Sequence, residues 1–188
     1  MNSSLQKSLS DNFYNIVIFI PLLSFIFGFY LNENSAGMGD YAEDINWIKK
    51  NIQIFLQNNL TDAIFHPDLF GNRPPLVYII NKLFNPFFYD FEKYRVTVFL
   101  ISLIGPLIFY NTLKIRFYLI DKKILFLIAS LIYLSPYYRT SGFWGLNENY
   151  GILTMLITFF FYEKFKEEKK EFKNILALII FSSINYIS

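Results

Sequence analysis

The stretch VTVFLISLIGPLIFYNTL, residues 96–113, decides the fold class, because its 18 residues carry no charge. A helix needs about 20 apolar residues to cross the hydrocarbon core of a bilayer. Gly105 and Pro106 interrupt the run, but this pair kinks a membrane helix more readily than it forbids one. The stretch therefore predicts a transmembrane helix.

Four further apolar runs extend this prediction along the chain, at residues 13–31, 119–138, 148–162 and 174–188. In the first run, the length, Pro21 and the lack of a small-x-small cleavage pattern favour a retained helix over a cleaved signal peptide. The last run stays apolar to the chain end, which indicates the N-terminal fragment of a longer protein. The sequence thus predicts an all-α fold, one polytopic transmembrane helix bundle over residues 1–188.

Composition narrows the function. Apolar residues make up 54% of the chain and aromatic residues 21%, while the net charge is only +2. A nucleic-acid-binding protein needs a basic face, so nucleic acid is not an expected partner. The absence of cysteine and the single histidine, His66, exclude disulfides and a Cys/His zinc site.

The basic residues predict the orientation, because cytoplasmic loops carry an excess of lysine and arginine. The loop at 111–123 holds Lys114, Arg116, Lys122 and Lys123, and the loop at 163–174 holds five lysines. Both loops, and with them the amino terminus, should be cytoplasmic, which places residues 32–95 and 139–148 outside. We expect a multi-pass protein of the plasma membrane, the inner membrane of a bacterium.

The outer segment, residues 32–95, should contain two amphipathic helices lying in the membrane interface. The first stripe consists of Ile45, Ile48, Ile52, Phe55 and Leu56, and the second of Leu76, Ile79, Ile80, Leu83 and Phe84. Pro86 should stop the second helix.

Three carboxylates occur in GDYAED, residues 39–44. Asp40 stands where an N-cap belongs and Glu43 follows three residues later, the pattern of a capping box. At 100° per residue, Glu43 points away from the apolar stripe, whereas Asp44 and Asp40 lie on its flank. Capping does not account for Asp44. Because Asp40 shares its position beside the apolar stripe, and so beside a lipid-borne substrate, both aspartates are the candidate reactive acids.

Other candidate residues lie in the outer loops. Glu148 begins a predicted span, where an acid is either functional or an interfacial residue that reaches water. Arg139 and Arg73 could each bind a phosphate. The alternative for Arg139 is that it anchors a span, and the alternative for Arg73 is that it faces lipid headgroups. His66 could help Asp68 to bind a cation, although a hydrogen-bonded structural role is the simpler interpretation.

Taken together, GDYAED, HPDLFGNRPPLVYIINKLF and SPYYRTSGFWGLNENYG on one face resemble the N-terminal part of the GT-C glycosyltransferases. The resemblance is to the branch related to protein O-mannosyltransferases and aminoarabinose transferases. It implies transfer of a sugar from a polyisoprenyl-phosphate donor to a lipid, glycan or protein acceptor on the outer face of the membrane.

The resemblance also implies roles for residues. The family's first outer loop carries an acid that serves as catalytic base or cation ligand, a position that falls on Asp40 or Asp44. Glu148 matches a second outer acid, and Asp40 with Glu148 could hold a divalent cation, although the sequence establishes no cofactor. Arg73 matches an Arg-x-Pro-Leu-like stretch. A transporter and a non-catalytic scaffold or assembly subunit remain the alternatives.

Overall fold

The computed structural model describes residues 16–33, 41–69, 75–167, 176–177 and 179–181. Its helices are α1 (Ile20–Tyr30), α2 (Tyr41–Gln57), α3 (Leu60–Ile64), α4 (Leu76–Phe84), α5 (Phe91–Arg116), α6 (Lys122–Ser130), α7 (Pro136–Trp144) and α8 (Glu148–Glu167), with a 3-10 turn at Leu131–Leu134. The described ranges contain no strand, so the predicted all-α class is confirmed.

The central helix is α5, which packs against α6, α7 and α8. It begins at the cap residue Asp90, whose carboxylate accepts the backbone N–H groups of Glu92 (2.9 Å) and Lys93 (3.3 Å). Its 26 residues make it the one helix, within the described part of the chain, long and apolar enough to cross a membrane. Helix length and composition therefore do not support the predicted five-span bundle.

The predicted span at 119–138 is not a single helix. Helix α6 ends at Ser130, a short 3-10 turn follows, and α7 begins at Pro136. The break has a local cause, because a residue that precedes proline avoids the helical region and Ser135 is extended, with ψ 122°. The predicted span at 148–162 is one continuous helix, α8, which runs on to Glu167. The predicted span at 174–188 lies mostly outside the described residues.

Helix α5 stays continuous through Pro106. Because proline has no N–H, the carbonyl of Ser102, four residues earlier, has no helical donor. The Tyr138 hydroxyl donates to that carbonyl at 2.5 Å, and the Tyr133 hydroxyl donates to the next one, of Leu103, at 2.7 Å. One tyrosine of the 3-10 turn and one of α7 thus donate to backbone carbonyls of α5 in the turn that precedes its proline.

The two outer helices, α2 and α4, differ in how well their apolar stripes were predicted. Helix α2 buries Ile45, Ile48, Ile52 and Phe55 as expected, but Leu56 is 44% exposed.

Helix α4 turns a different face to the core, against which only Ile79 of the predicted stripe is recorded as packing among the described residues. It buries Val77, Tyr78 and Asn81, while Leu83 and Phe84 of the predicted stripe point outward at 56% and 78% exposure. The core takes the face with Tyr78 and Asn81 because their polar groups find hydrogen-bond partners there. Pro86 follows the end of this helix as predicted.

Candidate functional site

The predicted acids of the first outer segment are only partly described. Asp40 lies outside the described residues, and α2 begins at Tyr41, directly after it in the sequence. Glu43 is exposed and accepts a hydrogen bond from the Trp47 indole at 3.3 Å. Asp44 is half-buried on the flank of the helix. The predicted helix phase is therefore confirmed for these two residues, while the catalytic role of Asp44 stays a prediction.

Glu148 occupies the first turn of α8 and is exposed. Its carboxylate accepts a hydrogen bond from the Ser141 hydroxyl of α7 at 3.2 Å. A carboxylate is favoured at this position because the N-terminal end of a helix carries a partial positive charge. The Ser141 hydrogen bond thus orients a side chain that still reaches solvent, as a base or cation ligand requires.

Arg139 is 5% exposed and forms a bidentate ion pair with Glu33, which lies three residues after the end of α1. Its Nε lies 2.9 Å from Glu33 Oε1, and one Nη bonds Glu33 Oε2. The remaining donors bond the Ser24 hydroxyl (3.2 Å), the Ser24 carbonyl (3.1 Å) and the Tyr133 carbonyl (3.0 Å). A guanidinium has five N–H donors, and here all five are bonded within the protein. In this arrangement Arg139 anchors α7 to α1, and a phosphate could bind it only by displacing Glu33.

The Arg139 anchor depends on a glycine in α1. A Cβ placed on Gly28 would contact the Arg139 guanidinium, the Glu33 carboxylate and the Phe143 ring, the last at 2.8 Å. No side chain fits at that position without displacing the ion pair. Gly28 therefore provides the space through which the pair forms.

A second buried arginine, Arg95, supports the same region from α5. It donates to the Phe143 carbonyl at 2.7 Å, to Glu92 at 2.8 Å and to the Asn32 side chain at 3.1 Å. Its guanidinium also lies 4.5 Å from the centre of the Trp144 ring, within cation–π range. Arg95 thus holds the segment that follows α1, through Asn32, against α5 and α7.

The remaining predicted ligands are less connected to this region. His66 is half-buried and its Nδ1 accepts the Asp68 backbone N–H at 3.1 Å, while the Asp68 carboxylate lies 3.6 Å from Lys50. This turn contact agrees with the structural interpretation of His66. Arg73 lies outside the described residues. Within the ranges that the structure describes, no group of three or more His, Cys, Asp or Glu side chains could hold a metal ion.

A buried network of amides and tyrosines joins the outer helices to the amino-terminal ends of α5 and α8. Asn51 of α2 and Asn147 both donate to the Tyr78 hydroxyl of α4, at 3.2 and 3.1 Å, and the Tyr94 hydroxyl of α5 donates to Asn147 at 3.3 Å. Asn81 of α4 exchanges hydrogen bonds of 3.0 and 3.2 Å with the Tyr150 hydroxyl of α8. We call these six residues the amide–tyrosine network.

Sequence reasoning did not select this network, Glu33 or Arg95. One signal was present, because Asn51 and Asn81 lie among apolar residues of amphipathic helices. A polar residue on an otherwise apolar face indicates a buried hydrogen bond. Nothing in the sequence identified its partners.

The comparisons with known proteins add no family. Neither a scan against protein-family models nor searches of curated proteins and of solved structures found a significant match to this chain.

Proposed function

We propose that this protein is a multi-pass membrane glycosyltransferase of the GT-C type, which transfers a sugar from a polyisoprenyl-phosphate donor to an acceptor on the outer face of the membrane. One observation carries the proposal. The helix that bears Asp44 and the segment that leads into Glu148 pack into one core at the amino-terminal end of α5, in which Ile48, Leu146 and Tyr150 are all buried. Both acids therefore belong to elements fixed at the same end of the central helix.

The amide–tyrosine network makes this end rigid. Buried hydrogen bonds between side chains fix the relative positions of the elements that carry them, because breaking one leaves a polar group without a partner. Catalytic side chains work best on such rigid supports. The network thus favours a site at this end of the molecule over a loosely held loop.

The chemistry requires few groups. A sugar phosphate already has an adequate leaving group, so the enzyme must mainly deprotonate the acceptor hydroxyl and orient it toward the anomeric carbon. One carboxylate within hydrogen-bond reach performs the proton transfer, a role that we assign to Asp44 or Asp40. The oxygen–carbon bond forms as the bond to phosphate breaks, which inverts the anomeric configuration. Since the donors of Arg139 are bonded internally, Arg73 or a divalent cation held by Asp40 and Glu148 would stabilise the departing phosphate.

The outward face of α4 suits a lipid-borne donor. Ile80, Leu83 and Phe84 are exposed at 38%, 56% and 78%, and Phe87 and Tyr89 continue the exposed surface toward α5. Apolar and aromatic side chains on one helix face are typical of an interfacial helix. This surface could lie against the membrane and guide the polyisoprenyl chain to the acids.

The test is sugar transfer from defined polyisoprenyl-phosphate donors in membranes that contain the protein or its variants. We expect Asp44→Asn or Asp40→Asn to lower the rate by a factor of about 10²–10⁴, the usual contribution of general acid–base catalysis. Glu148→Gln should also lower the rate, because it removes a ligand of the proposed cation. Glu43→Gln is the matched control, because this exposed acid is bonded to Trp47 on the same helix. Normal transfer by all three site variants would remove the proposed site, and an inactive Glu43→Gln would show that the acids were assigned wrongly.

One observation favours the non-catalytic scaffold as a second candidate. Arg139, which the sequence predicted as a phosphate ligand, instead joins α7 to α1 through Glu33 and Ser24. A scaffold would show no transfer with any donor, while its variants would change only the amount of folded protein in the membrane.

A further inference from the structure

A groove of about 340 Å³ lies at the opposite end of α5 from the candidate site. Six residues line it: Ile18, Phe19, Tyr110, Lys122, Lys123 and Phe126. They come from the turn that precedes α1, the last turns of α5 and the start of α6. We call it the basic groove.

The floor of the basic groove is aromatic. The Phe126 ring packs between Phe19 and Tyr110, with ring centres 5.9 and 5.4 Å apart. The Lys114 ammonium lies 5.0 Å from the centre of the Tyr110 ring. Such a surface is suited to a hydrocarbon chain rather than to water or a free ion, because exposed apolar area is costly to hydrate.

The rim of the groove is cationic. Lys122 and Lys123 are exposed at the first two positions of α6, and the preceding acid, Asp121, caps the helix by accepting the Lys123 backbone N–H at 2.7 Å. Arg116, at the end of α5, lies 3.8 Å from Glu163 and so is partly neutralised. The lysines at the rim therefore give this end of the groove its positive charge.

We infer that the basic groove binds one anionic phospholipid, with an acyl chain on the Phe19, Tyr110 and Phe126 rings and its phosphodiester between Lys122 and Lys123. Charge complementarity is the reason for this occupant, because basic pockets beside membrane helices recognise anionic headgroups. Lysine side chains also place their methylene stems on apolar surface while the ammonium stays with the phosphate. The inference rests on the membrane placement in the proposed function, but not on sugar transfer.

The experiment measures lipid binding to the full chain, extracted from membranes and purified in detergent. Native mass spectrometry follows titrations with dioctanoyl phosphatidylglycerol, dioctanoyl phosphatidylcholine and inorganic phosphate. We expect the anionic lipid to bind most tightly. Lys122→Gln combined with Lys123→Gln should weaken its binding by about twenty-five-fold, since each lysine near an anionic headgroup contributes roughly a factor of five. Lys164→Gln with Lys166→Gln, the same loss of charge at the end of α8, should change binding less than twofold.

A further variant separates the chain from the headgroup. Phe126→Ala should weaken binding of the anionic lipid and leave binding of inorganic phosphate unchanged. Three results would each overturn the inference. The anionic lipid could bind no more tightly than phosphatidylcholine, inorganic phosphate could bind as tightly as the anionic lipid, or the Lys164 and Lys166 control could lose as much binding as the Lys122 and Lys123 variant. Recovery of the protein without membrane extraction would instead overturn the membrane placement, so the two failures are distinguishable.

Discussion

The contact between Gly105 and Tyr138 supports a sharp prediction about stability. The Tyr138 hydroxyl replaces the helical donor that Pro106 cannot supply to the Ser102 carbonyl. A Cβ on Gly105 would lie 2.5 Å from that hydroxyl oxygen, but 3.6 Å from the ring carbon that carries it. The clash therefore comes from one oxygen atom, and its removal should make alanine acceptable.

The magnitudes follow from these distances. Tyr138→Phe leaves a buried carbonyl without a donor and should cost about 1–3 kcal/mol. Gly105→Ala pushes the hydroxyl away and overpacks the site, which should cost a similar 1–3 kcal/mol. In the Tyr138→Phe background, however, the new methyl group meets only ordinary contacts, and alanine stabilises a helix by about 0.5–1 kcal/mol relative to glycine. The sign of the Gly105→Ala effect should therefore reverse.

The assay is thermal unfolding of the purified protein in detergent, followed by tryptophan fluorescence. At roughly 3 °C per kcal/mol for a chain of this size, either single variant should lower Tm by about 3–9 °C. Adding Gly105→Ala to Tyr138→Phe should then raise Tm by about 2–3 °C. Tyr137→Phe is the matched control, because this neighbouring tyrosine is 83% exposed. If Gly105→Ala destabilises both backgrounds equally, close approach of the hydroxyl is not the reason for glycine.

Three further predictions concern the anchor, the network and the topology. Arg139→Gln should lower stability by about 1–3 kcal/mol, because it removes the donors to the Ser24 and Tyr133 carbonyls and the ion pair with the partly exposed Glu33; a variant of normal Tm that has lost sugar transfer would instead make Arg139 a substrate-binding residue. Asn81→Leu should cost about 0.5–1.5 kcal/mol by removing the hydrogen bonds between Asn81 and the Tyr150 hydroxyl, and should speed limited proteolysis of the outer helices; an unchanged cleavage rate would show that the network does not hold them. Reporter fusions after Asn59 and after Lys170 should report opposite sides of the membrane, and a shared side would contradict the predicted orientation.

Local features of the sequence determined the helices and much of their phase. The charge-free run at 96–113 predicted α5, which extends past it at both ends. The apolar repeat after Tyr41 predicted which face of α2 is buried, and hence that Glu43 is exposed and Asp44 half-buried. These features were readable because helix period, caps and prolines act over a few residues.

The tertiary structure decided which polar groups meet. Arg139 pairs with Glu33, 106 residues earlier in the chain, and Asn147 bonds Tyr78 across 69 residues. Helix α4 is apolar on more than one side, so its buried face depended on partners for Tyr78 and Asn81 rather than on its own pattern. Periodicity specifies that a face is apolar but not which element covers it. A buried hydrogen bond between distant residues exists only once packing has brought its donor and acceptor together.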